Sequence, residues 1–127
     1  MLQTIAVLGA RRRVLAMAVV TPLLATGYLR AAGLPAGELA AAWLLLDLLA
    51  AALGAAVLAS YLPARGWRPD LGCSPCAAVA GLSLVGSVLA IGSYGPSLVG
   101  PGLAAAVTLY ALTQRLGPAA CSTPPAR

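Results

Sequence analysis

The order of apolar and polar positions divides the chain into four long runs with almost no charge. Val14 to Leu29 is uncharged between Arg13 and Arg30, and Leu39 to Leu62 is interrupted only by Asp47. Cys76 to Gly92 and Leu98 to Thr113 follow, the last stopped by Gln114 and Arg115. Runs of this kind predict transmembrane helices over 14–29, 39–62, 76–92 and 98–113. The first covers roughly 24 Å at helical rise, short of a hydrocarbon core of about 30 Å unless Arg13 and Arg30 reach outward to water. The second is long enough to span with tilt. Pro22 predicts a kink in the first. A polar link from Pro63 to Pro75, with Arg65, Arg68 and Asp70, joins the second run to the third. Ser93-Tyr94-Gly95-Pro96-Ser97 joins the third to the fourth, and its Gly-Pro pair predicts a tight turn and an antiparallel hairpin. The predicted fold is all-α: a polytopic integral membrane four-helix bundle, one membrane domain over residues 1–127 with 114–127 as a cytoplasmic tail.

Composition strengthens this picture. Of 127 residues, 61% are apolar and 9% charged, where soluble domains run near half apolar and about a quarter charged. Too little polar cover exists for a water-facing surface, and disorder is excluded because it requires low hydrophobicity. The mean hydropathy of +0.93 points to lipid as the partner of most of the surface. Ala, Gly, Pro and Arg abound while Lys, Asn, His and Phe are absent, a bias of GC-rich coding sequence, so the Ala content alone is not read as chosen. The net charge of +5 does not imply nucleic acid, because no soluble basic segment carries it. The arginines instead give an orientation. Arg11, Arg12 and Arg13, then Arg65 and Arg68, then Arg115 and Arg127 fall on one predicted side, against Arg30 alone on the other. The positive-inside rule then places both termini and the 63–75 link on the cytoplasmic side of the cell membrane. Tyr28, Trp43 and Tyr94 near the outer ends, and Tyr61, Trp67 and Tyr110 near the inner ones, read as interfacial anchors. A competing reading takes Arg11–Arg13 and the following run as a secretory signal whose cleavage would leave three spans.

Small residues recur at a spacing of four on the third run: Ala77 and Gly81, Ser83 and Ser87, Gly86 and Ala90. They permit close backbone approach, either within the bundle, which is the preferred reading, or along a homo-oligomer seam. No repeat at about 20 to 50 residues supports an inverted-repeat transporter.

Two places carry candidate chemistry. Cys73-Ser74-Pro75-Cys76 sets a C-x-x-C pair at a helix start, with Ser74 suited to the cap and Pro75 to the first turn. The partial positive charge of a helix N-terminus favours a thiolate there, and Arg65 and Arg68 are close in sequence. Such a pair performs thiol exchange through a mixed disulfide. Alternatively Cys73 and Cys76, with Cys121 from the tail, bind a soft metal cation. A third reading has them as packing residues or a structural bridge, which a reducing cytoplasm disfavours outside hyperthermophiles. Asp47 is the second place, an intramembrane acid on the outer half of its span. It is suited to proton relay or ion coordination, or to structural pairing with Arg30 or with Ser83, Ser87 or Thr108, the preferred reading. Glu38 reads as a dipole partner for the second helix.

The C-x-x-C at a helix mouth in a four-span chain resembles the vitamin K epoxide reductase and DsbB class of membrane thiol oxidoreductases. Gly33-Leu34-Pro35 followed by Ala42-Trp43-Leu44 is similar to a Gly-Ile-Pro and aromatic pattern opening a helix in that family. The resemblance implies Cys73 and Cys76 as the redox pair beside a quinone, with a thiol protein as partner. The same Leu-Pro and Trp stretch, with an acidic residue after it, resembles the redox-associated DoxX and MauE membrane proteins. Gly72 to Leu116 is similar in layout to the Cys-bearing helices of small mercury-transport proteins. Three functions therefore stand: thiol–disulfide exchange, soft-metal binding or transport, and a non-catalytic accessory role in a larger membrane complex.

Overall fold

The computed structural model describes residues 2–33, 35–63, 66, 68–69 and 74–116, with the backbone alone for 2–9, 36, 74 and 76. These residues form four α-helices and no strand: α1 (Leu2–Ala32), α2 (Ala41–Ala59), α3 (Ser74–Tyr94) and α4 (Val99–Leu116), with a single 3₁₀ turn at Ala36–Glu38 before α2. Three are long and apolar enough to cross a membrane: Ala10–Ala32 of α1, all of α2, and Ala77–Tyr94 of α3. α1 begins well before the apolar run and passes through all three arginines and Pro22 without a break. Arginine is a good helix former, so a charge that ends a hydrophobic run need not end a helix.

The helices form a ring in the order α1, α2, α4, α3. α4 packs against both α2 and α3, whereas α2 and α3 barely touch and lie across the diagonal. Polar contacts mark the two ends. At one, Arg12 Nη1 donates to Gly66 O at 3.0 Å and Arg13 Nη2 to Leu62 O at 3.3 Å. There too the Arg115 guanidinium lies 4.5 Å from the centre of the Tyr61 ring. These cations complement the carbonyl ends of α2 and α4, where the helix dipole favours positive charge. At the other end Trp43, near the start of α2, meets Gly95 just beyond α3.

Each interior face is a seam made mostly of small residues. On α2 the seam runs through Trp43, Asp47, Ala50, Gly54 and Val57, steps of four and three that keep one stripe inward. α4 contributes Gly100, Pro101, Ala104, Thr108 and Ala111, and α3 contributes Ala80, Ser83, Ser87 and Ile91. Of the small-residue pairs on α3, only Ser83 and Ser87 face this seam. Gly81 points outward and nothing approaches where a side chain on it or on Gly86 would lie. The large aliphatic side chains stand outside: Leu45 is 69% exposed and Leu82 71%, with Leu15, Val85, Leu89 and Leu109 also at the surface. The inside is therefore smaller and more polar than the outside, the reverse of a water-soluble domain.

Two glycines make the α3–α4 hairpin. Gly95 adopts φ +52°, a left-handed turn conformation that glycine takes without steric cost, and its N–H bonds Ile91 O at 3.0 Å. Gly100 lies so near α3 that a Cβ on it would stand 3.2 Å from Ile91 Cα and 3.3 Å from Ala90 O, backbone atoms that cannot swing away. Gly102, on the same helix, faces open space. Gly100→Ala should cost about 1–3 kcal/mol as an overpacking change. Gly102→Ala should be neutral or gain up to about 1 kcal/mol from helix propensity. Unfolding of the two variants in detergent checks the contrast.

Candidate functional site

The polar side chains within the bundle run from near Trp43 and Gly95 to its middle. Asp47 projects from α2 and is 2% exposed; Tyr28 projects from the last turns of α1 and is 1% exposed. Ser83 and Ser87 of α3 and Thr108 of α4 are buried with them. Asp47 lies six residues into α2, roughly 9 Å along its axis. Ser87 and Asp47 are the polar neighbours of the Tyr28 hydroxyl across the helix interfaces.

The hydroxyls bond backward along their own helices. Ser83 donates to Ala80 O and Ser87 to Ser83 O, each at 2.7 Å, and Thr108 donates to Ala104 O at 2.8 Å. The Ser87 hydroxyl also stands 3.5 Å from Ala104 O, so one carbonyl of α4 ties Thr108 to α3. Serine and threonine in a helix commonly bond the carbonyl three or four residues earlier. That habit overrides the expected pairing of Asp47 with Ser83, Ser87 or Thr108, whose protons are already engaged. Arg30 makes no ion pair with Asp47 either. It sits two residues past Tyr28 and so on a different face of α1. Asp47 Oδ1 and Tyr28 Oη, both fully buried, are left without hydrogen-bond partners.

Trp43 and Gly54 close the site along α2. Trp43, one turn before Asp47 on the same face, is fully buried, and its Nε1 donates to Gly95 O at 3.2 Å. On the far side, a Cβ placed on Gly54 would stand 3.1 Å from Leu24 Cδ1, 3.2 Å from Leu84 Cδ2 and 3.7 Å from Tyr28 Oη. α1, α2 and α3 thus converge around one glycine. Tyr28 and Trp43 are therefore core residues and not the interfacial anchors expected from their nearness to helix ends, whereas Tyr94 and Tyr110 are exposed. The Trp43–Asp47 relation is visible in the sequence as a spacing of four. Nothing in the sequence distinguishes the inward face of Tyr28.

The thiol pair lies at the opposite end. α3 begins at Ser74, which places Pro75 and Cys76 in its first turn, at the end where Arg12, Arg13 and Arg115 make their contacts. The Cys76 side chain, and all of Cys73 and Cys121, lie outside the described residues. Among the described residues no three His, Cys, Asp or Glu side chains gather in a metal-binding group. Asp47 and Cys76 are on opposite ends of the bundle, and the structure does not join them in one site.

The Trp43 bond ties α2 to the α3–α4 turn, and Trp43→Phe should lose it while keeping most of the packing. The expected cost is about 1 kcal/mol, against about 3–5 kcal/mol for Trp43→Ala, read from denaturation midpoints in detergent.

Comparison of the chain with protein-family models, with curated proteins and with solved structures finds no match, so its functional reading rests on the residues and their geometry.

Proposed function

We propose that the chain is a multi-pass protein of the cell membrane with its arginine-bearing end in the cytoplasm, and that it carries out thiol–disulfide exchange through Cys73 and Cys76 at that end. Support for the membrane setting comes from the inverted polarity of the bundle, with aliphatic side chains outside and hydroxyls, a carboxylate and small residues within. Support for the orientation comes from Arg11, Arg12, Arg13 and Arg115 at one end and Arg30 at the other. The observation that carries the thiol reading is Cys76 in the first turn of α3, at the end where Arg12, Arg13 and Arg115 gather. Four orphan N–H groups and the dipole at a helix start stabilise a thiolate.

In the proposed reaction one sulfur attacks as thiolate and the other resolves the mixed disulfide. Closing the Cys73–Cys76 disulfide removes two electrons and two protons, which a membrane quinone accepts as it becomes the quinol. A thiol protein partner supplies the reducing equivalents that reopen the pair.

Trapping thiols in intact cells with permeant and impermeant alkylating reagents tests both parts. Cys73 and Cys76 should react with the permeant reagent alone, and a fraction should react only after reduction. Cys76→Ser should abolish quinone-dependent thiol oxidation while the protein remains in the membrane fraction. Labelling from outside by the impermeant reagent would overturn the orientation. Thiols that stay reduced in the presence of an oxidised quinone would overturn the chemistry.

A further inference from the structure

Most of the buried oxygens beside Asp47 have already committed their protons, the Tyr28 phenol excepted. Ser83, Ser87 and Thr108 each give their single hydroxyl proton to a backbone carbonyl, at 2.7, 2.7 and 2.8 Å. What these groups offer to anything else is lone pairs. Asp47 adds a carboxyl group whose Oδ1 accepts nothing, and Tyr28 adds a phenolic oxygen with no partner. Both belong to side chains at least 98% buried. An orphaned carboxyl in such a place is costly, and an acid within a helical bundle of this kind is ordinarily matched to something.

Among the described residues no cationic side chain supplies the match. Arg30 is on another face of α1 and makes no ion pair with Asp47, and Arg12, Arg13 and Arg115 hold the opposite end. An all-oxygen set suits a hard cation rather than a thiophilic one. A single carboxylate balances a single charge, whereas a divalent ion would leave excess charge in a closed interior. Trp43 packs one turn before Asp47 on α2, and the Gly54–Leu24–Leu84 contact lies two turns after it.

We propose that Asp47, Tyr28 and Ser87 form a binding site for one alkali-metal cation, held between α1, α2 and α3. This site is independent of the thiol pair, which lies at the other end of the bundle. A protonated Asp47 or a bridging water is the rival occupant, and neither depends on the metal salt present.

The test uses the full chain purified in detergent, with radiolabelled Na⁺ measured by scintillation proximity and choline as the balancing salt. The site predicts saturable binding of one ion per chain, lost in Asp47→Asn and weakened at least about tenfold in Tyr28→Phe, which removes one oxygen of the set. It also predicts that saturating Na⁺ raises the melting temperature of the unsubstituted protein by about 5 °C relative to choline, a rise absent from Asp47→Asn. Circular dichroism establishes that each variant is folded. Should Asp47→Asn fail to fold, Tyr28→Phe and Ser87→Ala carry the test in its place. The proposal is overturned by the absence of saturable Na⁺ binding to the folded protein. It is equally overturned by unchanged binding in folded Asp47→Asn, or in both Tyr28→Phe and Ser87→Ala.

Discussion

Close approach of α4 to its neighbours governs the rest of the bundle. Gly100 brings the backbone of α4 against Ile91 and Ala90 of α3, and Ala104 and Ala105 are buried further along the same helix. With α4 seated this deeply, Ala104 O lies within reach of both Thr108 and Ser87. α2 and α3 are then held across the diagonal, and Tyr28 and Asp47 are enclosed between them. A larger residue at position 100 would meet the backbone of α3 at Ile91 and Ala90 and push the two helices of the hairpin apart.

The same economy of size explains the inverted surface. Small residues fill much of the seams, so most of the long aliphatic side chains stand outside. In water that surface would drive association. In the proposed bilayer it needs no cover, and helix pairing relies on close packing and internal hydrogen bonds instead of on hydrophobic burial. Backbone polar groups are satisfied within each helix, and serine and threonine satisfy themselves by bonding back to their own helices. The two groups unable to do so, a carboxyl and a phenol too far from their own backbone, are the ones left unpartnered.

Much of this was legible in the chain, by a route that also sets its limits. Four charge-poor runs predict four helices because length and hydropathy are properties of each segment alone. The helix ends differ where backbone preference and hydropathy diverge, most clearly at Arg11–Arg13, which α1 passes through. Helix order in the ring was not legible, since it depends on which small-residue faces fit one another and not on any one segment. The aromatic residues show the same boundary. Nearness to a helix end is visible for Tyr28 and Trp43, but which face they occupy is a tertiary property, and both turned inward. Asp47 stood out as an acid in an apolar run, yet its expected hydroxyl partners had nearer carbonyls to bond.

The inverted polarity of the bundle bears on whether it lies in lipid with its polar seam enclosed. Spin labels placed singly at Leu45, Leu82 and Leu109, and at Ala50 and Ala104, in the protein reconstituted in vesicles measure it directly through collision with oxygen and with a water-soluble nickel chelate. In a bilayer the three outer positions should collide freely with oxygen and hardly with the chelate, while the two inner positions should be shielded from both. Ready collision of the chelate with labels at Leu45, Leu82 and Leu109 would contradict that placement.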